Sequence, residues 1–146
     1  MDGTAHQVRL PVADLDRAIA FYRDVLGLRL RARLPFVAAL QGPGGGQGIS
    51  LDLRPGAARE PCHAALLCPD RGSLARTLAR LVAAGVPIDA SVDNGVGEAV
   101  YLRDPDGNGV ELHRDRPESE WPEVGPHIGA TLNRPLELRA LLSPDG

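Results

Sequence analysis

An amide, an imidazole and a carboxylate stand at related places in this chain: Gln7, His63 and Glu111. Brought to one point, a glutamine carbonyl, a histidine nitrogen and a glutamate oxygen can coordinate a divalent cation. The same groups can equally hydrogen-bond one another, or water, in a polar pocket. Glu111 poses the question most directly. It lies in YLRDPDGNGVELHRDRP, residues 101–117, where an apolar strand ends at Arg103 and Asp104-Pro105-Asp106-Gly107-Asn108-Gly109 turns the chain. A second strand follows, with Glu111 between Val110 and Leu112 and His113 two positions on. A carboxylate so placed faces either solvent or a cavity.

Periodicity supplies the elements that must position these groups. Residues 7–12 alternate as a strand, and 13–26 read as a helix. Asp14 is its N-cap, Asp16 favours the first turn, and Leu15, Ile19, Tyr22 and Leu26 form one stripe, with Gly27 just beyond the end. Strands are predicted at 28–34, 36–41 and 49–53, with the glycine-rich 42–48 as a connection. The order then begins again. A strand at 63–68 leads to a helix opened by Pro69-Asp70-Arg71-Gly72 and ended by Gly85, with Leu74, Leu78, Leu81 and Val82 as its stripe. Strands follow at 86–92, 98–103 and 109–114. QVRLPVADL laid over HAALLCPDR aligns Gln7 with His63 and Asp14 with Asp70. GISLDLR over GVELHR sets Ser50 against Glu111 and Asp52 against His113. The expected fold is α+β, with two βαβββ repeats at about 6–56 and 63–114 inside one domain, 1–116. A tail, 117–146, holds the only tryptophan, Trp121, and a short helix expected at 135–142.

Strand parity assigns the faces, because successive side chains point to opposite sides of a sheet. Val8, Leu10 and Val12 form the helix-facing set of the first strand, which turns Gln7, Arg9 and Pro11 the other way. His63, Ala65 and Leu67 take that same inner face in the fifth strand, as do Glu111 and His113 in the last and Ser50 and Asp52 in the fourth. His6 would complete a set of two histidines and a carboxylate, but parity puts it on the wrong side unless the strand slips by one, so it is a secondary candidate to Gln7. Arg9 on the inner face could meet a substrate carboxylate or a neighbouring acid.

Composition removes other classes. A net charge of -3 gives no electrostatic basis for a nucleic-acid partner. All 16 basic residues are arginine, which excludes Schiff-base chemistry on lysine. Cys62 and Cys68 form neither a disulfide framework nor a zinc spacing, and no apolar run reaches membrane length, so a cytoplasmic protein is expected. The inner sheet faces must be covered, and pairing of two units or two chains does that.

VADLDRAIAFYRDVLGLRL and YLRDPDGNGVEL resemble the first helix and closing hairpin of the vicinal oxygen chelate superfamily, which includes glyoxalase I, fosfomycin-resistance thiol transferases, bleomycin-resistance proteins and extradiol dioxygenases. The resemblance covers 6–116, and VYLRDPDGNGVELHRDRPESEWP is most similar to the first module of catechol-2,3-dioxygenase-like proteins. It implies an open β-barrel with helices outside and a homodimer. It implies a divalent metal (Fe, Mn, Ni or Zn) held by Gln7, His63 and Glu111, with Glu111 also a base and Tyr101 a cavity-lining catalytic residue. Dioxygenases and fosfomycin enzymes carry histidine where Gln7 stands, glyoxalase I of the eukaryotic type carries glutamate where Ser50 stands, and related dioxygenase modules carry histidine where Asn94 lies. The expected function is a metal-dependent enzyme on a small oxygenated substrate, of lyase, isomerase or dioxygenase type. The alternative is a metal-free small-molecule-binding protein of the bleomycin-resistance type. Arg9, Ser50, Asp52, Asn94 and His113 complete the expected pocket.

Overall fold

The computed structural model describes residues 8–42, 48–54, 62–121, 134–135 and 138–142. His6 and Gln7 lie outside the described residues. The first repeat runs β1 (Val8–Val12), α1 (Leu15–Ala20), β2 (Arg29–Arg33), β3 (Val37–Gln41) and β4 (Gly48–Leu53). The second runs β5 (His63–Leu67), α2 (Arg71–Ala83), β6 (Ile88–Asp93), β7 (Gly97–Arg103) and β8 (Gly109–Asp115). The two copies share topology in detail. One sheet is ordered β1-β4-β3-β2 and the other β5-β8-β7-β6, and the first and last strands of each repeat pair in parallel. Each second strand carries an irregularity at the same place, between Leu30 and Ala32 and between Ile88 and Ala90. The strands thus form two separate sheets, with edge strands β1 and β5 lying against each other.

Alternation decides which faces are dry. Leu10 and Val12 of β1, Ile49 and Leu51 of β4, and Val110 and Leu112 of β8 are buried beneath the helices, where they join Ile19, Tyr22, Leu74, Leu78 and Leu81 in one core. Asp14 accepts a hydrogen bond from the Arg17 amide and Asp70 from the Ser73 amide, so both helices start at their aspartate caps. The predicted single helix over 13–26 is not uniform. After Ala20 it widens into a π-helical turn, Phe21–Val25, which buries Phe21 and Tyr22 side by side with their rings edge to face at 5.3 Å. Periodicity of 3.6 cannot announce such a turn, because the extra residue serves a contact far away in sequence. Gly27 then takes φ +80°, the left-handed conformation that ends the element.

That distant contact is the Asp104–Asn108 turn, which joins the two repeats. Tyr22 donates its hydroxyl hydrogen to Asp104 Oδ2 at 2.7 Å. Asp104 also accepts from the Asp106 and Asn108 amides and from Asn108 Nδ2, each at 2.9 Å. Asp106 Oδ1 accepts from the Ala13 amide and from Arg17, while Asn108 donates to Pro11 O and accepts from the Cys62 amide. All three polar side chains are buried. Elsewhere under α2, Arg114 and Glu98 form a buried ion pair, Nη2 to Oε1 at 2.5 Å, with Arg71 and Arg116 farther out on the same carboxylate. Parity alone would assign positions 98 and 114 to apolar side chains.

Tyr22 makes the fold sensitive to alkali. Its phenol is pushed far above the ordinary value of 10.0 by burial, then by the Asp104 charge and hydrogen bond, then by Asp106. The folded chain keeps a proton that the unfolded chain releases above about pH 10. This contribution is therefore fully present below about pH 10 and is lost as pH rises further. Tyr22→Phe should cost about 1.5–3 kcal/mol at pH 7 for the lost charge-assisted bond. Above about pH 10 its stability should fall less steeply than that of the wild type. Denaturant titrations followed by circular dichroism across this range check it, and parallel slopes would contradict the assignment.

The tail differs from expectation at its helix. Pro135 is not helical but lies with Arg134 in a short strand, β9 (Arg134–Pro135), on the outer edge of β6, where a residue without an N–H is tolerated. The helix is shorter, α3 (Leu138–Leu142), and it packs on α2 with Leu141 inside the core. Trp121 is 46% exposed and donates its indole hydrogen to Arg116 O within its own segment. Among the described residues no helix is long and apolar enough to cross a membrane.

Candidate functional site

The face of the second sheet turned away from the helices carries the polar residues that parity assigned to it. Parallel pairing of β5 with β8 sets His63 beside Gly109 and Ala65 beside Glu111. Antiparallel pairing of β8 with β7 sets Glu111 beside Tyr101 and Gly109 beside Arg103. Two rows result: Ala65–Glu111–Tyr101, and His63–Gly109–Arg103. Ala65 and Gly109 are small, so the rows enclose space. A cavity of about 390 Å³ lies over them, lined by His63, Ala65, Tyr101, Arg103, Gly109 and Glu111, with Asp89 from the irregular stretch of β6 at its margin. That volume is in the range of small-molecule sites.

The electrostatics centre on Glu111. Tyr101 stands opposite Glu111 across the β7–β8 pair, and its phenol is held above its ordinary value by burial, then by the neighbouring Glu111 carboxylate. Tyr101 is therefore a proton donor, not a phenolate, at neutral pH. His113 Nδ1 lies 3.3 Å from Glu111 Oε2, yet it is buried without a well-aligned hydrogen bond. Glu111 thus sits between a phenol and an imidazole, with about a third of its side chain open to the cavity. Arg103 Nε lies 3.4 Å from Asp89 Oδ2, which sets an ion pair at the cavity margin.

The remaining expected residues fall elsewhere. Ser50 and Asp52 take the equivalent face of the first sheet and do not line this cavity. They are buried, Ser50 Oγ donates to Asp52 Oδ1 at 2.9 Å, and Arg9 Nη1 approaches Asp52 Oδ2 at 3.7 Å. The counterpart of the Glu111–His113 pair in the first repeat is therefore satisfied from within. Asn94 is exposed in the β6–β7 turn, where its Oδ1 accepts from the Val96 and Gly97 amides, and it too is absent from the cavity lining. Cys68 is buried and its thiol is pushed up to about 11, mainly by burial, so it is not a thiolate nucleophile at neutral pH.

Sequence reasoning missed Arg103, Asp89 and Gly109. Arg103 follows from Tyr101 by parity, and Gly109 follows from aligning the parallel partner of His63; Asp89 enters only through the irregular pairing of β6. As a metal site, the donor chemistry fits in part. An imidazole and a carboxylate share one face, with the side-chain-free Gly109 beside His63 on the strand that carries Glu111. Among the described residues no group of three His, Cys, Asp or Glu gathers for a cation, so His63 and Glu111 would supply two ligands of any bound ion.

The family model of the Glyoxalase/Bleomycin resistance protein/Dioxygenase superfamily matches residues 4–112. The chain is 38% identical over 120 residues to a catechol-2,3-dioxygenase from Bacillus subtilis (strain 168), covering 77% of this chain and 42% of that protein. The chain therefore spans less than half the length of this curated relative. A lactoylglutathione lyase from Agrobacterium tumefaciens superposes with a TM-score of 0.61 at 28% identity, covering 74% of this chain and 90% of that one. A bleomycin resistance determinant encoded on the transposon Tn5 shares the fold, with a TM-score of 0.64 at 23% identity over 80% of this chain and 100% of that one.

Proposed function

This chain belongs to the Glyoxalase/Bleomycin resistance protein/Dioxygenase superfamily, and from that premise we propose that it is a divalent-metal-dependent enzyme acting on a small oxygenated molecule. The reaction is of the lyase or dioxygenase type found in the names of its relatives. The observation that carries the reading is the pair His63 and Glu111, on adjacent parallel strands, facing one cavity with Tyr101 alongside. These two residues would hold the cation, and Gln7, aligned with His63 by the repeat, is the proposed third ligand. A bound divalent ion supplies stabilisation of negative charge on neighbouring substrate oxygens.

The chain's own residues do the rest. Tyr101, opposite Glu111, keeps a proton at its hydroxyl, ready for a developing oxyanion. The Glu111 carboxylate can accept a substrate proton when one of its oxygens is free, and His113 stands close enough to share it. Arg103, with Asp89 as its partner, gives the cavity margin a charged edge. The inner face also leaves Leu67 46% and Tyr101 37% exposed, and we assign the covering of that face to a second copy of the chain.

A metal-free binding protein is the competing reading. It is favoured by the two-member ligand set of the described residues and by the self-satisfied Ser50–Asp52 pair. Titration of chelator-stripped protein with Mn²⁺, Ni²⁺, Fe²⁺ and Zn²⁺ separates the two. One ion bound per chain supports the enzyme reading, whereas no affinity for any of them, with saturable binding of small molecules and no turnover, would establish the other.

A further inference from the structure

We propose that Gly109 is a positioning residue whose missing side chain is the seat of the His63 imidazole; this rests on the reading of His63 as a metal ligand. A Cβ built on Gly109 would lie 2.5 Å from His63 Cδ2, 3.1 Å from Nε2 and 3.4 Å from Cγ, so its three nearest neighbours all belong to that ring. The imidazole occupies the volume that any other residue at 109 would need.

The backbone does not call for glycine here. Gly27, Gly85, Gly95 and Gly107 have positive φ, and Gly109 is not among them. Gly107, two residues earlier, has φ +88° and no atom within 4 Å of the place a methyl would take. One turn thus holds two glycines with different tasks: the first bends the chain and the second makes room. Nor can the strands part to admit a side chain. The Gly109 amide donates to Cys62 O at 2.8 Å and the Cys62 amide donates to Asn108 Oδ1 at 2.9 Å, which clamps β5 to β8 where His63 begins its strand.

The seat matters because β5 is the edge strand of its sheet, and β8 is the strand of that sheet paired with it at His63. Gly109 and Glu111 project from the same face of β8, two residues apart, and both line the cavity. A ring lying on Gly109 is directed toward the carboxylate's side of the sheet. A methyl at 109 evicts it, and the flexible ring yields before the clamped backbone does. Loss of an orienting contact to a metal-binding histidine lowers affinity by about 10–100-fold.

The test pairs a structural readout on metal-free protein with Mn²⁺ titration. In the wild type, a nuclear Overhauser contact between His63 Hδ2 and the Gly109 Hα protons is expected. Gly109→Ala should weaken Mn²⁺ binding about 10–100-fold. Adding Gly109→Ala to His63→Ala should change Mn²⁺ affinity no further, because the ring it displaces is already gone. Absence of the Overhauser contact overturns the proposal, as does wild-type Mn²⁺ affinity in Gly109→Ala, or an equal loss when His63 is already alanine. If the contact is present and the wild type binds no Mn²⁺, the seat stands and the proposed metal function falls. The wild-type contact decides the placement even if the alanine variant folds poorly.

Discussion

Glu111→Gln and His63→Ala are each expected to lower Mn²⁺ affinity by at least about 100-fold, more than loss of an orienting contact does. Glu111→Gln keeps the size of the side chain and removes the negative charge. His63→Ala removes the imidazole from an exposed position on β5. Both residues are open to solvent in part, so neither change empties a core or strands a buried partner, and stability should change by less than about 1 kcal/mol. Calorimetric titration alongside thermal denaturation checks both halves of the statement. Retained affinity in either variant would place the cation elsewhere. A large loss of stability would mean that the pair serves the fold and not a ligand.

The second large effect falls on the fold. Asp104→Ala should cost about 3–5 kcal/mol, in the class of broken buried polar networks. The carboxylate is 5% exposed and accepts four hydrogen bonds, one of them from Tyr22 in the other repeat. Removing it leaves a buried phenol, a side-chain amide and two backbone amides to find other acceptors. Water entering the gap recovers part of this, which keeps the cost below the sum of the separate bonds. Denaturant unfolding should show the midpoint falling, and a change below about 1 kcal/mol would mean that the turn is locally formed and does not join the repeats.

The two repeats are legible because their signals are local. Aspartate caps, alternation and matching glycines each depend on neighbours within a few residues, and Asp14, Asp70, Leu10 and Leu112 behave as those rules require. Parity likewise puts His63 and Glu111 on one face, which the structure bears out, while Tyr101 joins them through the pairing of β7 with β8. What stays hidden depends on partners far along the chain. The π-helical turn exists where Tyr22 reaches Asp104, 82 positions away, and the Asp106 and Asn108 contacts to residues 11–17 span similar distances. Glu98 and Arg114 occupy inward positions because each neutralises the other, a pairing invisible until β7 and β8 are in register. Parity treats the inner faces as one surface, whereas the chain folds them into two sheets. Ser50 and Asp52 consequently share parity with Glu111 but not its cavity.

The most direct test of the central claim is anomalous diffraction from crystals of the full chain grown with Mn²⁺. A single strong peak is expected within bonding distance of a His63 nitrogen and a Glu111 oxygen, with the Gln7 side-chain oxygen as a further ligand. No peak over that face of the second sheet at saturating Mn²⁺, or a peak bound only by other residues, would contradict it.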